Sequence, residues 1–225
     1  MWLINSSIGR KLIMSISGVF LVLFLIFHSL MNLTLLFSAE VYNTICEILG
    51  ANWYAIAGTM IIAGGFVIHI GYASYLTILN RCARGRHRYA VTEKQEGVSW
   101  ASNNMYILGL IILGFLAMHF YQFWYKMQFA ELIGVQTGAF DPHDGAAFVT
   151  DLFSNWIYCV IYIVWIAVLW FHLTHGMWSS MQSIGLNNKT WMPRVKVIGN
   201  IISTIVCLMF MAVPVYFLII NILCQ

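Results

Sequence analysis

Five long apolar runs divide this chain, at Leu12–Phe37, Trp53–Leu79, Met105–Met127, Leu152–Gln182 and Val195–Ile220. A helix crossing the hydrocarbon of a bilayer needs about 20 mostly apolar residues, and each run reaches that length. In lipid every backbone N–H and C=O must find its partner within the protein, so only helices and closed barrels span. Barrel strands would read as short alternating segments, whereas these runs are long and unbroken. The expectation is all-α: a single domain over residues 1–225, built as a bundle of five transmembrane helices. Composition agrees. The chain is 61% hydrophobic and 8% charged, where a globular chain carries about 25% charged residues. The first run is too long for a signal peptide, and no small-residue cleavage site interrupts it. The fourth run is overlong, which predicts tilt or ends projecting into the interfaces. Pro214 inside the fifth predicts a kink. Trp53, Trp100, Trp124, Trp156, Trp178 and Trp191 fall near the helix ends, as an interfacial belt requires.

Charge sets the orientation. Arg10 and Lys11 precede the first run; Arg81, Arg84, Arg86, Arg88 and Lys94 fill the second loop; Lys189, Arg194 and Lys196 fill the fourth. The opposite side holds Lys126 together with Glu40, Glu47, Glu131, Asp141, Asp144 and Asp151. The positive-inside rule then puts the N-terminus in the cytoplasm and the C-terminus outside. The longest outer connection runs from Gln128 to Asp151. No basic tail points to nucleic acid. The five cysteines (Cys46, Cys82, Cys159, Cys207, Cys224) show no C-x-x-C spacing, which argues against a zinc ribbon or a covalently attached haem.

Of the seven histidines, His87 and His143 sit in polar loops, while His28, His69, His119, His172 and His175 lie in apolar helical sequence. The plain alternative is core histidines bonded to nearby carbonyls. Intramembrane ionisable groups are expensive, however, and by default mark function. Depth sharpens the point. At about 1.5 Å of rise per residue, counted from the cytoplasmic helix ends, His28 lies roughly 24 Å up and His119 roughly 21 Å. His69 and His172 each lie roughly 15 Å up, and His175 about 10 Å. The four sort into an outer pair, His28 with His119, and an inner pair, His69 with His172. Two such pairs suit two stacked haem b groups, because haem iron takes axial imidazoles on opposite faces and a bundle core can enclose them. Gly18, Gly64, Gly65, Gly71, Gly109 and Gly114 offer room for a porphyrin or for close helix packing. A tetrahedral zinc site would want its ligands at one depth. His175 shares a face with His172 and stands as a propionate partner or alternative ligand.

With these features the chain resembles the diheme cytochrome b membrane-anchor subunit of succinate:quinone oxidoreductases, the succinate dehydrogenases and fumarate reductases. The resemblance covers nearly the whole chain. It rests on Gly18 ahead of Phe27-His28-Ser29-Leu30-Met31-Asn32, on His69, on His119, and on Phe171-His172-Leu173-Thr174-His175-Gly176-Met177-Trp178-Ser179. In that family the helix-four ligand precedes a glycine by four residues, which selects His172 through Gly176.

The resemblance implies an anchor for a cytoplasmic flavoprotein and an iron–sulfur protein in a bacterial inner membrane. Electrons would pass between the iron–sulfur protein, the haems and a quinone, expected to be menaquinone reacting near the outer side. Such a subunit belongs to an enzyme of the tricarboxylic acid cycle or of fumarate respiration but has no succinate site of its own. Whether the complex dimerises stays open. Some family members carry a carboxylate two residues before the helix-four ligand; Trp170 stands there, so no proton relay is carried over. Quinone-site candidates are Glu47, Glu40 and Asn32; propionate partners are Arg81, Arg86, Arg88 and His175 for the inner haem and Lys126 for the outer. The alternatives are a b-type cytochrome of a hydrogenase or formate dehydrogenase, and a histidine-lined transporter without haem. Against the transporter, no inverted repeat or pair of broken helices appears.

Overall fold

The computed structural model describes residues 6–84 and 100–223. Its elements are α1 (Ser7–Leu33), extended by a tight turn Thr34–Leu36; α2 (Ala39–Ile48); α3 (Trp53–Arg84); α4 (Trp100–His119), continued by wider π-helical turns over Phe120–Phe129; α5 (Ala130–Ile133); α6 (Gly145–Ser154); α7 (Trp156–Met181), continued by a π-type turn Gln182–Leu186; and α8 (Trp191–Leu223). Five of these helical stretches are long and apolar enough to cross a membrane: Ser7–Leu36, Trp53–Ala83, Trp100–Ile133, Trp156–Met181 and Trp191–Leu223. The protein is a multi-pass, all-α membrane bundle. Side chains such as Val67, Leu223 and Ile61 stay exposed along the spans. A contiguous apolar exterior of this size belongs in lipid, not water.

Local chemistry fixes the ends. Ser6 Oγ accepts from Gly9 N (2.9 Å) and Ser38 Oγ from Val41 N (3.2 Å), capping α1 and α2. Asn188 Oδ1 accepts from Trp191 N (2.8 Å) and Thr190 N (3.1 Å) at the start of α8. Gly134 closes α5 in the left-handed region at φ 67°, where a side chain would be strained. Four spans, α3, α4, α7 and α8, begin on an exposed tryptophan: Trp53, Trp100, Trp156 and Trp191.

Two expectations are corrected. The overlong fourth run is not one helix. Asn155 turns the chain out of α6 with extended geometry and caps α7 through Ile157 N (3.0 Å), so the span starts at Trp156, not Leu152. The outer connection from Gln128 to Asp151 is not all loop: it holds α5 and most of α6. The other spans are longer at their ends than the apolar runs suggest, since polar residues such as Ser7, Asn103 and Asn104 continue the helices. α8 runs through Pro214 as one helix.

Packing defines a square with a fifth helix outside it. α1 lies against α3, α7 and α8; α7 lies against α4, α8 and α1; α3 and α4 touch only slightly. The diagonals of the square are therefore α1–α4 and α3–α7, and neither diagonal pair packs backbone on backbone to any extent. α1 presents small buried residues, Ser15, Ser17 and Ser29, with Leu21 between them, so its neighbours approach closely. Buried Ile166, Leu169, Leu173 and Cys207 join α7 to α8. At the acidic end, α2 and α6 cap the bundle. Asn43 Nδ2 donates to Asp144 Oδ1 (2.8 Å), and Ala146 N donates to Asn43 Oδ1 (2.8 Å).

Candidate functional site

The square brings the four selected histidines into two pairs, one on each diagonal. The His28 and His119 rings, from α1 and α4, have centres 5.9 Å apart and planes 82° apart. The His69 and His172 rings, from α3 and α7, have centres 6.4 Å apart and planes 72° apart. Within neither pair are the two rings hydrogen-bonded to each other. The first pair lies nearer the acidic end and the second nearer the basic end.

Two rulers give the distance between the pairs. Ser17 touches His69, and His28 lies eleven residues further along α1, about 16 Å. Tyr162 touches His119, and His172 lies ten residues further along α7, about 15 Å. The layers are thus further apart than the sequence count suggests. Between the layers Phe115 stacks on Trp165, with centres 4.2 Å apart.

The surroundings of the pairs are mostly apolar. Phe24 stacks on His28 at 5.3 Å and Phe210 from α8 lies 5.5 Å away; Phe123 lies 5.1 Å from His119. Glycines flank the other pair. A methyl group on Gly18 would sit 3.4 Å from His69 Cε1, and one on Gly109 would sit 3.6 Å from His172 Cε1. Gly65 instead receives the Phe20 ring, a helix-packing role, while Gly64, Gly71 and Gly114 have open space beside them.

The donor set can be tested against a metal. Two imidazoles per layer cannot complete a four-coordinate ion, and among the described residues no group of three or more His, Cys, Asp or Glu side chains is placed to hold one. A porphyrin brings four nitrogens of its own and needs only two axial ligands. Two imidazoles that each reached one iron at about 2 Å per bond would have their ring centres about 6 Å apart. The observed 5.9 and 6.4 Å fit that spacing. His172 Nδ1 is buried and lacks a hydrogen-bond partner, so carbonyl bonding does not explain that residue.

His175 does not join the pair. Its ring packs edge-on against Trp178 at 4.7 Å, and its Nδ1 is buried without a partner. Arg81 lies over the Tyr106 ring and Lys126 over Tyr121, each at 5.7 Å. Arg86, Arg88 and His87 lie outside the described residues. Trp170 is tied to α8 by Nε1 donating to Thr204 Oγ1 at 2.9 Å.

Asn32 and the two glutamates do not form one site. Asn32 Nδ2 donates to the His28 carbonyl (2.8 Å), one turn beyond that ring. Glu40 and Glu47 are exposed on α2, where with Asn43, Thr44, Asp141, His143 and Asp144 they line an open groove. Glu47 thus sits on a surface helix of its own, not in the approach to α3. In the groove His143 bridges Asp141 (2.9 Å) and Glu131 (3.3 Å). The Asp141 hydrogen bond raises the His143 pKa, and the His143 backbone N–H, then its ring, lowers that of Asp141. Burial pushes the nearby Cys46 thiol up to about 11.

Sequence reasoning missed the buried polar residues beside the rings: Ser17, Gln122 and Tyr162. Gln122, an amide three residues past His119 in apolar sequence, was a usable signal; Tyr162 was one aromatic among many. Comparison with protein-family models, curated proteins and solved structures finds no match for this chain.

Proposed function

We propose that this chain is the membrane-anchor and electron-transfer subunit of a succinate:quinone oxidoreductase, holding two non-covalent haem b groups. One observation carries the reading: two imidazole pairs face each other across both diagonals with ring centres 5.9 and 6.4 Å apart, a gap in which one iron could be held by each pair. His28 and His119 would hold the outer haem, His69 and His172 the inner. When bound, haem supplies a one-electron carrier whose potential is set by its ligands and surroundings. The protein's residues do the rest. Phe24, Phe123 and Phe210 keep water from the outer pair, and Gly18 and Gly109 leave room at the inner rings. His175 offers a buried nitrogen to an inner propionate.

Under the positive-inside rule the basic end faces the cytoplasm. There Arg10, Lys11, Arg81, Lys189, Arg194 and Lys196 offer a docking face for the flavoprotein and iron–sulfur subunits of a bacterial inner-membrane complex. A quinone, in our reading menaquinone, reacts at the acidic end, where the Glu40–Glu47 groove supplies carboxylates. The layers span about half of a hydrocarbon core roughly 30 Å thick. One charge moved between them therefore works against about half of the 2.3 kcal/mol that 100 mV imposes on a full crossing.

Purified in detergent with its partners, the chain should show a reduced-minus-oxidised b-type spectrum and two haems per copy. His69→Ala or His172→Ala should remove one centre, and His28→Ala or His119→Ala the other. A content of one haem or none overturns the diheme reading. Copurification with hydrogenase or formate dehydrogenase subunits, in place of a flavoprotein, overturns the choice of complex.

A further inference from the structure

The four imidazoles are not held alike. Ser17 on α1 is buried, its Oγ donates to Met14 O (3.0 Å), and the same oxygen lies 3.3 Å from His69 Nδ1. A hydroxyl has one proton. With that proton on Met14 O, Ser17 meets His69 only as an acceptor. His69 then carries its hydrogen on Nδ1 and a free lone pair on Nε2. The other layer repeats the logic. Buried Tyr162 donates its hydroxyl proton to Gln122 Oε1 at 2.6 Å and lies 3.4 Å from His119 Nδ1. His119 is thereby set as the same tautomer by a different hydroxyl, from α7.

The opposite ring of each pair lacks this arrangement. His172 Nδ1 is buried with no partner. Asn32 Nδ2 donates one proton to the His28 carbonyl and lies 3.4 Å from His28 Nδ1 and 3.5 Å from Nε2, a contact that singles out neither ring nitrogen.

We infer that Ser17, and Tyr162 held by Gln122, are positioning residues. Each fixes the Nδ1–H tautomer of one imidazole per layer, so that Nε2 is the nitrogen offered to the metal. The inference rests on the haem reading and deepens it. A ligating histidine whose other N–H has an acceptor is oriented and made a stronger donor, and such partners typically matter 10–100-fold in affinity or activity. Stronger donation stabilises the oxidised iron and lowers its reduction potential. The contacts here are long for hydrogen bonds, which places the effect at the lower end of that range.

The test is a redox titration of both b-type centres in the intact complex, for Ser17→Ala and Tyr162→Phe. Ser17→Ala should raise the potential of the inner centre alone, and Tyr162→Phe that of the outer alone. The expected size is up to a tenfold change in the reduction equilibrium, about 59 mV for a one-electron couple. Ser17→Thr, which keeps the hydroxyl, should restore the inner value. Loss of the matching centre alone, with the other retained, also supports the inference. Unmoved potentials, a downward shift, or equal shifts in both centres overturn it. If Tyr162→Phe assembles no complex, Gln122→Leu carries the same test, since it frees the phenol proton for His119 Nδ1. An unmoved outer centre in that variant overturns the outer half. A wild-type chain with fewer than two haems defeats the haem reading itself; two haems with unresponsive variants defeats only this inference.

Discussion

At the scale of single residues, a buried nitrogen or oxygen is either used or costly. Gln128 shows full use. Its Oε1 accepts from Thr59 Oγ1 (2.8 Å) and Trp124 Nε1 (2.9 Å), and its Nε2 donates to Gly50 O (2.9 Å) and Leu49 O (3.3 Å). One amide thus pins α3, the π-helical turns and the turn after α2. Gln128→Ala leaves two donors and two backbone carbonyls short of partners, a loss of about 1–3 kcal/mol. A clearly lowered thermal midpoint in detergent is the expected result; an unchanged midpoint refutes the assignment. The histidines were legible in the sequence because an imidazole in apolar helix is anomalous on its face. Ser17, Gln128 and Tyr162 were not. Their roles depend on which neighbour arrives, and hydropathy does not encode that.

At the scale of elements, helix identity was legible and helix ends were not. An apolar run reports the part of a helix inside the hydrocarbon, so Ser7, Trp100 and Trp191 escaped the count. Asn155 escaped because an N-cap inside an apolar stretch reads like one more polar residue. The helices of the outer cap are hidden in the sequence because they are short and their charges many. Its pH response follows from His143. The His143 pKa is raised above its ordinary 6.5, so the bridge to Asp141 and Glu131 is full below that value. It weakens as pH climbs through the raised value. Asp141 is lowered from 3.8, so its share holds above 3.8 and is lost as pH falls through the lowered value. The loop over residues 134–144 should therefore resist proteolysis better near pH 5.5 than near pH 8.5. His143→Ala should flatten that difference, and a wild-type chain cut equally at both pH values speaks against the bridge.

At the scale of the whole molecule, the charge asymmetry predicts sidedness. Cys82 is exposed at the basic end, and Cys46 lies under the acidic cap with its thiol pushed up to about 11 by burial. In a Cys224→Ser background, a membrane-impermeant thiol reagent should label Cys82 in inside-out vesicles and little in right-side-out ones. The reverse pattern would invert the topology and move the proposed docking face to the other side. The five-helix count was legible from the sequence alone. The square and its diagonals were not, because periodicity reports which face is apolar but not which helix lies opposite.

That square has a consequence for assembly. α3 and α4 scarcely touch, and each hangs on a single main neighbour, α1 or α7. The imidazole pairs run corner to corner, like cross-bracing in an open frame. If haem iron joined each pair as proposed, both braces would be clamped; without it, α3 and α4 would each be held mainly by one neighbouring helix. Haem supply would then govern how much intact anchor a cell accumulates, through the survival of newly inserted chains rather than their synthesis.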